Sequence, residues 1–220
     1  MDDFRSSNPC VNPALLDALA VDFAAHDYDL KHLLRTIMAS RTYQLSSVPN
    51  ATNLGDTRQF SRSYRRRLPA EVLVDAVSDV TGVPETFSAV PPGSRAMQTW
   101  SYKIASHFLD AFGRPNSSSD CPCERDAQLS VVQTLHLMNS KILQGKLSDP
   151  KGRVRQLANS DRSQSDLVGE LYLLLLNRLP AEPELQAALR AFSAPGATRN
   201  TAVEDVFWAL LNSPEFVLNH

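Results

Sequence analysis

The sequence predicts an all-α fold of about eight helices built from helical hairpins, with residues 1–220 as a single helical domain. Three observations carry that expectation. Apolar residues recur at i, i+3, i+4 and i+7 along most of the chain, the period of a helix rather than the alternation of a strand. Glycine is scarce at 8 residues while proline stands at 14, a balance that favours helices with sharp stops over a glycine-rich β architecture. Capping residues also stand just ahead of several apolar stripes.

The elements follow in order. Asn12 suits an N-cap and Pro13 the first helical position, where its missing N–H costs nothing. Leu15, Leu16, Leu19 and Phe23 then share one face. After a break at His26-Asp27-Tyr28, Asp29 caps a second helix striped by Leu30, Leu33, Leu34, Ile37 and Met38. Residues 46–62 are polar, carry Pro49, Asn50, Asn53 and Gly55, and read as a flexible loop. A helix from Pro69 to Thr81 shows Leu73, Val74, Val77 and Val80, with Gly82 placed as a C-cap.

Val83 to Met97 reads as irregular but packed, because Phe87 and Val90 need cover. Ile104, Phe108, Leu109 and Phe112 are spaced for one face of a helix from Trp100 to Phe112. A central helix is expected from Gln128 to Leu147, and a weakly amphipathic piece from Lys151 to Ser160. Ser163 with Asp166 fits a capping box opening Leu167 to Asn177, which is apolar almost all round and is expected to be the most buried element. Pro183 starts a further helix, and Thr201 with Glu204 fits a box for the last, which ends at Ser213-Pro214 or begins one more turn there. The Ile37–Tyr43 stretch echoes Leu210–Phe216: each closes a hairpin with a serine able to cap the next turn and an aromatic that packs back.

Composition excludes several classes. Hydrophobic residues at 43% and charged residues at 21% are ordinary globular values, which argues against a disordered chain. The longest apolar run, Leu171 to Leu176, is far short of the roughly 20 residues that span a bilayer, so no membrane span is expected. Met1-Asp2-Asp3-Phe4-Arg5 lacks the basic and apolar regions of a signal peptide, so the chain taken alone reads as soluble and cytoplasmic. Arg58, Arg62, Arg65, Arg66 and Arg67, interleaved with Phe60 and Tyr64, have the makings of a nucleic-acid patch. With a net charge of -2, pairing of those arginines with Glu71, Asp75 and Asp79 is the favoured reading, and no nucleic-acid partner is expected.

Chemistry concentrates at Cys121-Pro122-Cys123-Glu124-Arg125, just ahead of the central helix. A cysteine near a helix N-terminus and beside Arg125 is placed for a lowered thiol pKa. Two soft ligands with His107 or His136 would make a metal set, although one intervening residue is poor spacing for zinc. The favoured reading is structural: inert buried thiols, or a disulfide between Cys121 and Cys123 or from either to Cys10. His26, His32, His107, His136 and His220 form no His-Glu-x-x-His pair, and no Cys-x-x-Cys-His haem site, nucleophile elbow or phosphate loop occurs. No catalytic residue, cofactor or metal site is therefore expected from the motifs.

The ordered motifs carry a resemblance. Asp2-Asp3-Phe4-Arg5, Asn8-Pro9, Asn12-Pro13, Leu15-Leu16-Asp17, Asp29-Leu30-Lys31 and Ser40-Arg41-Thr42-Tyr43 open the set. Arg66-Arg67-Leu68-Pro69-Ala70-Glu71, Phe112-Gly113-Arg114-Pro115, Cys121-Pro122-Cys123-Glu124-Arg125, Leu135-His136-Leu137-Met138-Asn139 and Ala209 to Phe216 complete it. Together they resemble the C-terminal domain of unknown function found in large planctomycete proteins, many of which carry a planctomycete-type cytochrome c domain upstream.

The resemblance implies the tail of a longer, exported protein working in the periplasm or cell envelope. Met1 directly before Asp2 then implies a short relative, a fragment or a cut gene. It further implies a non-catalytic helical module for assembly or protein–protein contact, with a protein or the parent's upstream domains as partner. The alternative is an accessory domain of a periplasmic redox or polysaccharide-processing enzyme with Cys121 and Cys123 near the site. No catalytic residue is established for that family, so none carries over. Cys121, Cys123, Glu124, Arg125 and His136 are the motif residues of most interest, whereas Cys10 stands where relatives commonly have proline.

Overall fold

Helix starts and stops in this chain are set by short polar side chains, and the computed structural model shows most of them at work. It describes residues 9–88, 90–99, 104–112, 114 and 140–219. Among these, ten α-helices, one 3₁₀ turn and one pair of two-residue strands appear, which bears out the all-α expectation. The chain divides into two compact units, Met1–Arg65 with His220 and Arg66–Asn219.

The first unit holds α1 (Pro13–Ala25) and α2 (Leu30–Met38), packed as a hairpin. Asn12 Oδ1 accepts the Leu15 N–H at 3.1 Å and Asp29 Oδ1 accepts the Lys31 N–H at 2.8 Å, as the capping pattern predicts. Neither helix buries a residue. Leu19, Phe23, Leu33 and Ile37 are half-buried, while Leu30, Leu34 and Met38 are 65%, 57% and 55% exposed.

Residues 46–62 hold no helix or strand, yet they are closely hydrogen-bonded. Asn50 Oδ1 accepts from the Thr52 and Asn53 amides, and Asn53 Oδ1 accepts the Asn50 N–H at 2.7 Å. Asp56 accepts the amides of Arg58, Gln59 and Ser61 together with the Ser61 hydroxyl. That hydroxyl first, then the amides, hold the Asp56 carboxyl well below the usual range. Because the folded value is depressed, the ordering is present above the ordinary carboxylate pKa and lost as pH falls through the folded one. Asp56→Asn should accelerate amide exchange at Arg58, Gln59 and Ser61 while leaving the second unit's unfolding midpoint unchanged.

The second unit opens with β1 (Arg66–Arg67), antiparallel to β2 (Leu218–Asn219), which ties its two ends together. Helix α3 (Ala70–Thr81) buries Leu73, Val74, Val77 and Val80, the predicted stripe, and also Glu71, Asp75 and Thr81. Gly82 ends it at φ 69°, the left-handed C-cap that glycine adopts without strain. A Cβ there would meet Arg153 at an ordinary 3.6 Å, so Gly82→Ala should cost only the left-handed backbone, about 1 kcal/mol by urea unfolding.

Segment 83–97 is irregular but packed, as expected, with Phe87 buried and Val90 against the core, and leads into the 3₁₀ turn Ala96–Gln98. Then come α4 (His107–Ala111), α5 (Lys141–Leu147), α6 (Arg153–Ala158), α7 (Gln164–Leu176), α8 (Glu182–Phe192), α9 (Arg199–Leu211) and α10 (Pro214–Val217). Helix α9 is the hub, touching α5, α6, α7, α8 and α10. Its Ala202, Val203 and Phe207 have no exposed surface.

Several expectations are corrected, three of them by a cap. Of the helix expected from Trp100 to Phe112, the described residues 104–112 show only His107–Ala111 as helix, because Ser106 is extended and its Oγ accepts the Leu109 N–H. Within the helix expected from Gln128 to Leu147, Ser140 is an N-cap accepting the Leu143 N–H at 3.3 Å, so a helix begins at Lys141. The expected portion at 128–139 lies outside the described residues. The last helix is capped by Thr198 with Thr201 rather than Thr201 with Glu204, and so starts earlier than expected. Helix α7 buries Leu167, Val168, Leu171, Tyr172 and Leu175 but leaves Leu173 46% exposed, so it is amphipathic, and α3 is the more buried of the two.

The echoed serines both cap. Ser40 Oγ accepts the Tyr43 N–H at 3.2 Å and Ser213 Oγ the Phe216 N–H at 3.3 Å. Phe216 packs into the core as expected, whereas Tyr43 is 57% exposed.

Candidate functional site

The connection between α1 and α2 brings together the most chemically capable side chains of the first unit. Helix α1 ends in a Schellman arrangement, with Asp27 at φ 52° in the left-handed position. The Tyr28 N–H donates to Phe23 O at 2.9 Å and the Asp27 N–H to Ala24 O at 3.3 Å. The Tyr28 and Phe23 rings meet edge-on with centroids 5.4 Å apart, the apolar contact that accompanies this motif. Asp29 then starts α2 at once, which folds His32 back over the end of α1.

The result is two imidazoles around one carboxylate. The His26 and His32 rings stack with centroids 3.7 Å apart and planes at 17°. His32 Nε2 lies 2.9 Å from Asp22 Oδ2, and His26 Nδ1 lies 2.8 Å from the Asp22 carbonyl and 3.4 Å from Oδ1. One ligand atom from each of the three side chains falls within 4.8 Å of the other two. The histidines, read singly, show no motif; only Asp22 and His26 at i, i+4 carry a signal, and His32 joins them through the turn.

The second unit uses its conspicuous charges internally. Arg178 donates to both carboxylates it faces: Nε to Glu215 at 2.6 Å, Nη2 to Glu215 and Glu184 at 2.7 Å, and Nη1 to Glu184 at 2.7 Å. Its guanidinium also sits 5.4 Å from the Tyr172 ring centre. The paired acids raise the Arg178 pKa further, and the Arg178 hydrogen bonds, then the Ala181 N–H, hold Glu184 down to about 2. Burial first, then the Glu184 charge, pushes the Tyr172 hydroxyl up.

Other charged groups close backbone ends. The Arg199 guanidinium donates to the carbonyls of Ala158, Ser160 and Arg162, capping the end of α6. Buried Lys146 donates to Val83 O at 2.6 Å and pairs with Glu85 at 3.1 Å. Buried Asp75 accepts the Ala96 and Met97 amides, and Asp79 pairs with Arg95 at 2.7 Å. Asp75 and Asp79 thus serve Arg95 and the 3₁₀ turn, not the arginines of 58–67 as the sequence reading has it. An open groove of about 530 Å³ runs along α7 and the start of α8, lined by Arg162, Asp166, Glu170, Leu173 and Leu179. Its polar groups pair with neighbours, Arg162 with Glu170 at 2.8 Å and Asp166 with Ser163 at 2.7 Å, so they do not converge on a ligand.

Of the sequence-predicted residues, Cys121, Cys123, Glu124, Arg125 and His136 lie outside the described residues, as does the side chain of His107. Cys10 is half-buried and its thiol is free. Among the described residues no helix is long and apolar enough to cross a membrane.

Neither the curated proteins nor the solved structures contain a match to this chain. The model of the family described as "PSD1: Protein of unknown function (DUF1553)" matches residues 1–192, so it spans every motif of the resemblance except the closing Ala209 to Phe216. That match bears out the resemblance carried by the ordered motifs, and the chain belongs to the PSD1 family of unknown function.

Proposed function

We propose that the chain is a non-catalytic helical module that makes protein–protein contact within a larger, extracytoplasmic assembly, its partner a protein surface or a further domain of a longer polypeptide. One observation carries this reading. The charged side chains of the second unit that have a catalytic look, namely Arg178, Glu184, Glu215, Lys146, Asp75 and Arg199, are taken up by caps and ion pairs that hold the fold. In the first unit α2 presents Leu30, Leu34 and Met38 at the helical repeat on an exposed face. A row of apolar side chains at i, i+4 and i+8 is the face a helix uses to dock on an apolar surface of another protein.

The test is charge placed on that face. A Leu30→Glu/Leu34→Glu double variant should keep its circular dichroism, since both side chains are already exposed. It should lose co-elution with the rest of the longer polypeptide, supplied as a separate chain, by at least tenfold in apparent affinity. Unchanged co-elution would refute α2 as the contact face. Turnover of a redox or polysaccharide substrate by the isolated chain would refute the non-catalytic reading itself.

A further inference from the structure

We propose that Asp22, His26 and His32 form a binding site for one divalent transition ion of the zinc type, and that the ion staples α1 to α2. Two observations lead there independently. The first is the donor set. Two imidazoles and one carboxylate suit borderline ions such as zinc and copper, and are poor for magnesium or calcium, which take oxygen ligands.

The spacing suits such an ion once the two rings, stacked 3.7 Å apart at 17°, rotate out of the stack so that their in-plane lone pairs converge on it. Tetrahedral coordination at zinc–nitrogen and zinc–oxygen bond lengths puts ligand atoms about 3.3 Å apart. The two contacts to the Asp22 carboxylate already measure 2.9 and 3.4 Å, and the three ligand atoms lie within 4.8 Å of one another. The side chains of Asp22, His26 and His32 are 36%, 48% and 28% exposed, so they turn without disturbing packed neighbours and leave a fourth position to water. Each ring nitrogen binds the ion through its lone pair, and any proton it carries is released to solvent.

The second observation is what the hairpin lacks. Neither α1 nor α2 buries a single residue, and the large apolar side chains Leu15, Leu30, Leu34 and Met38 face outward. Two short helices with so little core need another cross-link, and a metal is one of the few that small scaffolds use. Asp22 is on α1, His26 is its C-cap and His32 is on α2, so one ion would join both helices across the Asp27–Tyr28 reversal.

The experiment is isothermal titration of the chelator-stripped full chain with zinc chloride, with magnesium chloride as the reference. Zinc should bind saturably with one ion per chain held by this site, and magnesium should not. Asp22→Asn, His26→Gln and His32→Gln should each weaken zinc at least tenfold, while a Cys121→Ser/Cys123→Ser double variant should keep this site. Absence of saturable zinc binding overturns the proposal, and so does binding that survives the histidine variants but is lost with the cysteines. Should the substitutions unfold the hairpin, hydrogen exchange of the unaltered chain still decides. Zinc must slow amide exchange across 13–38, and unchanged exchange there overturns the staple.

Discussion

Phe207→Ala should destabilise the second unit by about 3–5 kcal/mol, read as a lowered urea midpoint with little change in slope. Phe207 has no exposed surface, and it lies on α9, the helix against which α5, α6, α7, α8 and α10 all pack. Removing the ring deletes its transfer free energy and leaves a cavity among helices already held from several sides, which limits collapse into the gap. Trp208, the next residue, is only half-buried, so Trp208→Ala should cost clearly less. That ordering separates a hub at α9 from a merely aromatic contribution.

Arg178→Ala should cost about 2 kcal/mol at neutral pH, discounted because the three charged side chains are 29–37% exposed. The substitution breaks the bonds that join the loop after α7 to α8 and α10, and removes the guanidinium charge that both Glu184 and Glu215 face. A pH signature distinguishes this from lost packing. Glu184 is held down to about 2 against an ordinary value of 4.5, mainly by Arg178. A depressed folded pKa contributes stability that is complete above the unfolded value and lost as pH falls through the folded one. Wild-type stability should therefore fall between about pH 4.5 and 2, and Arg178→Ala should flatten that fall. Equal slopes in the two proteins would assign the loss to packing alone.

Local signals were the legible part of this chain. Asn12, Asp29, Ser163 and Gly82 all cap where their positions imply, because a cap is decided within three or four residues of itself. The corrections arise where two local readings compete. Val131 through Leu143 keeps a helical apolar period, yet the Ser140 hydroxyl accepts the Leu143 amide N–H and sets a helix start at Lys141. Thr198 and Thr201 compete in the same way, and the earlier threonine wins because its side chain and that of Thr201 satisfy each other's backbone N–H. The apolar period of 167–176 does not say which leucine faces outward; only packing against α8 and α9 leaves Leu173 exposed.

The polar constellations were legible only in part, since they join residues far apart in the chain. Arg178 meets Glu215 across 37 positions and Arg199 meets Ala158 across 41. His32 reaches Asp22 across 10, through a turn whose left-handed residues are not glycine. Nothing in the spacing of the histidines announces that meeting. Once the Schellman turn is recognised at Asp27, the fold-back of α2 and the pairing of the two rings follow from it.

The central claim is that α2 is a contact face of a non-catalytic module, and a photo-cross-linker at Leu34 tests it most directly. Installed in the chain and irradiated in cells that make it, the probe should give one discrete protein adduct that disappears when Leu30→Glu is added. Absence of any adduct, with position 34 labelled by a water-soluble reagent as readily in the assembly as in the isolated chain, would contradict the account.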